Sequence, residues 1–471
     1  MCENASLNSH RQFFNLVEEA KVSTPVETPI TKRSGVVKRR LASLDAFRGL
    51  TVIWMILVDE AGDAYHNWMD HSPWNGIRLA DFVFPFFLYI SGVSVALSLR
   101  KPAQSGDTRL KLRTTWKVCV RAFKLFLLGL IMQGGGFPNN YDLLKIRIPG
   151  ILQRIAICFL IVALIELWIA EDAGGYCSYC TDIRLIHSPY LYQWIVFIVL
   201  NALYLGLLFG VRPAGCGSGG YFTPQCNSAS LIDEKLFGLN HMYKEPTYIR
   251  SKECSSCSPA ECPIENAPQW CEKPFDPEGM LGTLCGACSG FLGLQIGHIL
   301  QANRYHHTPP EKILSHLMGS MLSMVVLGVV AIGAGMPLNK NLYTSSYMLV
   351  TAAVATFFLM TFYASLDVAS IQNSMGDRVH GIVLALVSPL LWVGRNAIFI
   401  FVFAACDVLA DIISWVHTGS KENNLVHWFR VNLLQDGLGF SGGILLYTWI
   451  KIVFWVCVAF GLDYKGIYYK I

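Results

Sequence analysis

The chain has 471 residues, 53% of them hydrophobic and only 15% charged, with a mean hydropathy of +0.41, which is too apolar for a soluble globular protein of ordinary composition. Its formal net charge of +4 is carried largely by loops that flank apolar runs, so it marks a membrane orientation rather than a nucleic-acid partner. A Walker-type phosphate loop, a dinucleotide-binding glycine turn and an HExxH metal motif are all missing from the sequence.

Residues 1–40 are polar and lack the apolar core of a signal peptide, so a disordered cytoplasmic tail is expected there. Residues 41–471 read as an all-α, polytopic membrane domain with about ten spans, near 45–65, 79–99, 116–133, 151–170, 191–211, 280–300, 313–332, 342–363, 393–409 and 444–460. Lys32, Arg33, Lys38, Arg39 and Arg40 precede the first span, and Arg100, Lys101, Arg109, Lys111, Arg113 and Lys117 follow the second. The loop 60–75 between them has no Lys or Arg, so both basic segments and both termini are expected on the cytoplasmic side.

The apolar run from Leu50 to Val58 is too short to cross alone, because a hydrocarbon core of about 30 Å needs roughly 20 helical residues. The first span therefore takes polar groups with it, Arg48 near one end and Asp59 near the other. His71 follows where the chain re-enters, with turn residues at Pro73 and Asn75-Gly76, and Asp81 lies about one turn inside the second span. A histidine suits proton transfer near neutral pH, and Asp81 or Asp59 could orient it. Alternatively, His71 is an ordinary interfacial histidine and Asp81 pairs with Arg78, three residues away.

Further along, Arg154 sits at the non-cytoplasmic start of the fourth span, and Arg395 and Asn396 open the ninth from the cytoplasmic side. Six of the fifteen cysteines, at 216, 226, 254, 257, 262 and 271, fall in the hydrophilic insertion 212–279. On the non-cytoplasmic side they suggest up to three disulfides of unassigned pairing, with a zinc site at Cys254-x-x-Cys257 as the alternative. Cys177-x-x-Cys180 reads as two loop thiols. Gly282, Gly286, Gly290, Gly293 and Gly297 mark close helix contacts rather than a nucleotide loop. Residues 366–392 read as an amphipathic or re-entrant cytoplasmic segment leading into the ninth span.

Five ordered motifs carry a family resemblance. They are Leu41-Ala42-Ser43-Leu44-Asp45-Ala46-Phe47-Arg48-Gly49, His71-Ser72-Pro73-Trp74-Asn75-Gly76 with Ala80-Asp81-Phe82-Val83-Phe84-Pro85, and Arg147-Ile148-Pro149-Gly150-Ile151-Leu152-Gln153-Arg154. Asp276-Pro277-Glu278-Gly279 with Leu281-Gly282-Thr283, and Pro337-Leu338-Asn339-Lys340-Asn341-Leu342, complete the set. Together they resemble the heparan-alpha-glucosaminide N-acetyltransferase family over residues 41–471. The resemblance implies transfer of an acetyl group from cytosolic acetyl-CoA to a lumenal amino-sugar acceptor. His71 matches the family's catalytic histidine, as base or as acetylated intermediate.

On this reading Asp81 and Asp59 support His71, Asn75, Trp74 and Arg154 contact the acceptor, and Arg48, Arg100, Lys101, Arg395 and Asn396 hold the CoA phosphates. No metal is expected. The expected partners are acetyl-CoA, an amino-sugar or glycan acceptor and the lipid bilayer, in a lysosomal, vacuolar or other endomembrane, with homodimerisation left open. Set against the animal enzyme, the resemblance implies a form without the large lumenal N-terminal region and additional first span, as expected of the plant branch, and with Asp59 where the family has an asparagine. A transporter of a small anionic or amino compound is the competing reading, because buried charges also line substrate paths.

Overall fold

The computed structural model describes residues 40–133, 144–169, 190–213, 215–216, 220–306, 308–368, 377–405, 408–414, 416–419 and 424–469. The expected N-terminal tail and the Cys177/Cys180 pair lie outside these residues. Helices α1 (Ala42–Ala61), α2 (Val83–Ala103), α3 (Thr108–Gln133), α4 (Ile151–Ile169) and α5 (Leu191–Gly210) come first. The short α6 (Ser228–Phe237) lies in the insertion, followed by α7 (Met280–His306), α8 (Pro310–Gly333), α9 (Ser345–Leu366) and α10 (Asp377–Arg395). Three short helices, α11 (Ala397–Ile400), α12 (Val408–Ser414) and α13 (Leu425–Trp428), lead to α14 (Asp436–Tyr464). Among the described residues seven helical stretches are long and apolar enough to cross a bilayer, and an eighth if a bent pair counts as one span.

The charged α1 and the strongly basic α3 are not among the seven, because their ionic side chains break the apolar window that the others keep. The expectation for the ninth span is corrected. The helix begins at Asp377 rather than at Val393, runs through the stretch read as a re-entrant lead-in, and ends at Arg395. The chain then turns by 78° between Gly381–Arg395 and Ala397–Ala404. Asn396 sits at the break, fully buried, and its side-chain oxygen accepts the Tyr469 N–H at 3.2 Å. An apolar run alone does not show such a break, because hydropathy is blind to backbone direction.

Helix α2 packs along α7, and α1 along α10, through glycines. A Cβ on Gly92 would stand 1.8 Å from the Gly290 carbonyl oxygen, and one on Gly293 would stand 2.1 Å from that of Tyr89. The second crossing repeats this device, Gly49 against Leu390 and Gly394 against Asp45. In lipid, where apolar burial hardly favours helix association, such backbone approach supplies the dispersion that holds helices together. Replacing Gly92 with alanine should therefore destabilise the protein by about 1–3 kcal/mol, the usual range for overpacking. Gly319, whose added Cβ would meet nothing within 4 Å, is the matched control. Thermal unfolding in detergent checks this, and equal melting temperatures for the two variants would contradict it.

The insertion closes over the end of the bundle that carries His71. Disulfides Cys216–Cys226, Cys254–Cys271 and Cys257–Cys262 hold it, so these six sulfurs form three bridges and leave no thiolate for the zinc alternative. Trp74 enters it from below: its indole N–H donates to the Phe222 carbonyl at 2.6 Å and its ring meets Tyr248 and Phe275 edge-on at 5.6 and 5.3 Å.

Candidate active site

The segment between α1 and α2 is fixed from several directions. Arg78 donates from its guanidinium to the carbonyls of His66, at 2.5 Å, and His71, at 3.4 Å. Asp70 accepts the His71 backbone N–H at 2.6 Å, contacts the His66 ring at 3.0 Å and pairs with Arg250 of the insertion. Gly76 donates its N–H to the Leu338 carbonyl at 2.8 Å, and the Asn339 amide donates to the Asn75 side-chain oxygen at 3.1 Å. These bonds join the 71–81 segment to the turn before α9.

His71 Nδ1 lies 2.8 Å from Asp81 Oδ1, so the carboxylate accepts the Nδ1–H and leaves Nε2 as the basic nitrogen. Asp81 is fully buried, and its second oxygen accepts the backbone N–H groups of Ser72 at 3.2 Å and Arg78 at 2.9 Å. Arg78 thus serves Asp81 through its backbone, not through the ion pair that their spacing suggested. The Tyr347 hydroxyl donates to the Asp81 carbonyl from α9. Lys340 completes the group, its Nζ 2.9 Å from Nδ1 and 3.2 Å from Nε2 of His71, and 3.9 Å from Asp81 Oδ1.

The His71 side chain retains 31% of its surface accessibility, so a small molecule can reach it. Crowding by the protein pushes its pKa below the ordinary 6.5, and the Lys340 charge pushes it further, against the opposing pull of Asp81. The imidazole is therefore neutral at pH 7. Glu278, just before α7, is also within electrostatic reach of Lys340; burial opposes its ionisation, but Arg147, Arg154 and Lys340 prevail and hold its pKa below the ordinary value.

Of the residues singled out from sequence, His71, Asp81 and Asn75 come together, joined by Lys340, Asn339 and Tyr347. Asp59 does not belong to this group: it is exposed near the end of α1, and the carboxylates on His71 are Asp81 and Asp70. Trp74 is buried and anchors the insertion, its indole N–H committed to Phe222. Arg154 is buried close by, donating to Thr283 and to the Gly279 carbonyl, each at 3.2 Å, and lying over the rings of Phe84 and Tyr343.

The five residues assigned to CoA do not form one cluster. Arg100 is buried and donates to Gln301 at 3.1 Å and Gln104 at 3.3 Å, whereas Lys101 beside it is exposed. Arg48 donates to Asp45 and Ser94, each at 3.0 Å, and Arg395 donates to both oxygens of Asp463 at 2.9 and 2.8 Å. Asn396 adjoins Arg395 at the helix break. Sequence reading missed Lys340 and Glu278 as site residues, although both stand inside motifs it had singled out.

In an all-α, polytopic membrane protein, an accessible imidazole held by a buried carboxylate and a lysine just outside the spans can serve as a general base or a nucleophile. Residues 40–174 match the family model described as heparan-alpha-glucosaminide N-acetyltransferase, catalytic, a stretch that includes His71 and Asp81. The chain is 29% identical over 465 residues to the mouse protein named heparan-alpha-glucosaminide N-acetyltransferase, covering 94% of this chain and 62% of that relative. It is 31% identical over 396 residues to the human protein of the same name, covering 79% of this chain and 54% of that one. The chain thus spans less than two thirds of either relative's length. These matches agree with the resemblance carried by the motifs: the chain is similar to the heparan-alpha-glucosaminide N-acetyltransferases over most of its own length.

Proposed function

We propose that the protein is a transmembrane acetyltransferase that moves an acetyl group from cytosolic acetyl-CoA to an amino-sugar acceptor on the opposite face. The observation that carries this reading is the Asp81–His71–Lys340 group at the end of the bundle covered by the disulfide-bonded insertion. The acceptor's neutral amine attacks the thioester carbon, forming a C–N bond as the C–S bond breaks. His71 Nε2 takes the amine proton and returns it to the departing CoA thiolate. On this reading the acceptor N–H displaces Lys340 from Nε2, and the ammonium then stands where negative charge develops on the carbonyl oxygen. In the two-step version Nε2 itself carries the acetyl group between CoA and amine.

Arg48 and Arg395, which keep part of their surface accessible, are better suited to CoA phosphates than the buried Arg100. A phosphate there would share them with Asp45 and Asp463. From Arg48 to the end of α1 is about 20 Å at ~1.5 Å per residue, so the extended pantetheine arm would have to run along the bundle.

Purified protein incubated with acetyl-CoA and a panel of amino sugars should release CoA only when both protein and amine are present, with the N-acetyl product seen by mass spectrometry. CoA release independent of the acceptor, or acceptor passage across a vesicle without acetylation, would favour the transporter reading instead. A pH profile tests the Lys340 contact. Neutral His71 is the active form, so kcat/KM should fall as pH drops through its depressed pKa. Lys340→Met removes a charge that depresses that pKa, and the acid limb should move to higher pH. An unmoved limb would separate Lys340 from the titration of the base.

A further inference from the structure

Three carboxylates and two guanidiniums crowd the segment that joins the insertion to α7, and their hydrogen bonds are unevenly shared. Arg147 donates to both oxygens of Asp276, at 2.8 and 2.7 Å, and to Glu278 Oε2 at 2.5 Å. Asp276 is saturated, since its oxygens also accept the backbone N–H groups of Glu278 and Tyr243, each at 3.0 Å. Asp233 accepts the Met280 N–H at 2.8 Å and is fully buried against Gly279. Asp233 also keeps one oxygen, Oδ2, without a partner among the described residues, but that oxygen is sealed against Gly279. Glu278 differs from Asp276 in having a free oxygen and from Asp233 in being less enclosed. Its residue surface is only 9% accessible, Oε2 is bound to Arg147, and Oε1 accepts no hydrogen bond from any described residue.

The neighbours of Glu278 link it to the reacting group. Arg154 donates to the carbonyl of the next residue, Gly279, and lies over the Tyr343 ring; Tyr343 meets Tyr347 edge-on at 5.2 Å, and Tyr347 donates to the Asp81 carbonyl. Lys340, which contacts His71, is also within electrostatic reach of Glu278. An ionised carboxylate whose second oxygen is neither committed nor sealed is open to a charged donor arriving from outside.

Resting on the acetyltransferase reading, we propose that Glu278 is the residue that selects an amine-bearing acceptor, its Oε1 receiving the N–H groups of the incoming ammonium next to His71 and Lys340. The carboxylate attracts the cationic form that prevails in solution and holds it until one proton passes to solvent water; the neutral amine then presents a remaining N–H to Nε2. A sugar hydroxyl in the same position offers one donor and no charge, so the contact discriminates amine from alcohol.

The test is Glu278→Gln in the full-length protein. The Gln carbonyl can still accept from Arg147, so the fold is preserved while the charge is lost. Calorimetric binding of glucosamine should weaken at least tenfold, while binding of glucose and of acetyl-CoA stays within threefold of the parent. Glu278→Asp, which keeps the charge but withdraws it by one methylene, should fall between the two. Asp276→Asn serves as the control for mere loosening of the Arg147 cluster and should not alter the ratio of glucosamine to glucose affinity. Unchanged glucosamine affinity in Glu278→Gln, or equal losses for glucosamine and glucose, would overturn the assignment while leaving the acetyltransferase reading intact. A parent protein that binds acetyl-CoA yet acetylates no amine would overturn that reading, and this assignment with it.

Discussion

Replacing His71 with alanine should lower acetyl transfer by about 10²- to 10⁴-fold, the usual loss on deleting a positioned base. The change removes the ring that Asp81 and Lys340 contact, yet touches neither Arg48 nor Arg395, so acetyl-CoA should still bind. The expected pattern is a collapse of kcat with the dissociation constant for acetyl-CoA within a few-fold of the parent. A correctly assembled His71→Ala protein that turned over at near-parental rate with both substrates saturating would remove His71 from the chemistry.

Asp81→Asn should be nearly as damaging, for a different reason. Two backbone N–H groups, from Ser72 and Arg78, point at Asp81 Oδ2. An asparagine must turn its carbonyl oxygen toward them, and its NH₂ then faces His71 Nδ1. Nδ1 becomes the acceptor, the proton moves to Nε2, and the base is held in the wrong tautomer. A loss of about 10²-fold or more in kcat is expected, with little change in acetyl-CoA affinity. If Asp81→Asn kept most of the parental kcat, the carboxylate would be structural only.

Most of the fold could be read from the sequence, because apolar windows of about 20 residues dominate the chain. Apart from the ninth, each expected span falls on a helix, and the glycine-rich stretch 280–300 is a close helix contact. The break at Asn396 was not legible, since no local pattern announces a change of direction between two apolar pieces. The same division applies to the site. His71 and Asp81 are ten positions apart, and a carboxylate inside an apolar run shows up as an anomaly. Lys340 meets His71 from 269 positions away, a proximity written in helix packing and not in spacing. The anchoring of Trp74 was not legible, because an indole near a membrane boundary suits ligand stacking and anchoring alike and its bond to the Phe222 carbonyl is made only in the fold. The cations at span ends suggested phosphate contacts by charge alone, and spacing could not show that Arg100 is buried against Gln301 while Arg395, paired with Asp463, stays partly accessible.

The His71 segment is tied to the insertion through Asp70–Arg250 and Trp74–Phe222 and to the turn before α9 through Asn75–Asn339. A pocket assembled from such remote pieces exists only in the completed fold, so anything that occupies it draws the folding equilibrium toward the native state. A competitive inhibitor present at about a hundred times its dissociation constant would add ~2.7 kcal/mol of stability. That is comparable to the cost of one overpacked glycine. Variants damaged at the helix crossings, with His71 and its partners untouched, are therefore candidates for rescue by a small molecule that is washed out once the protein has matured.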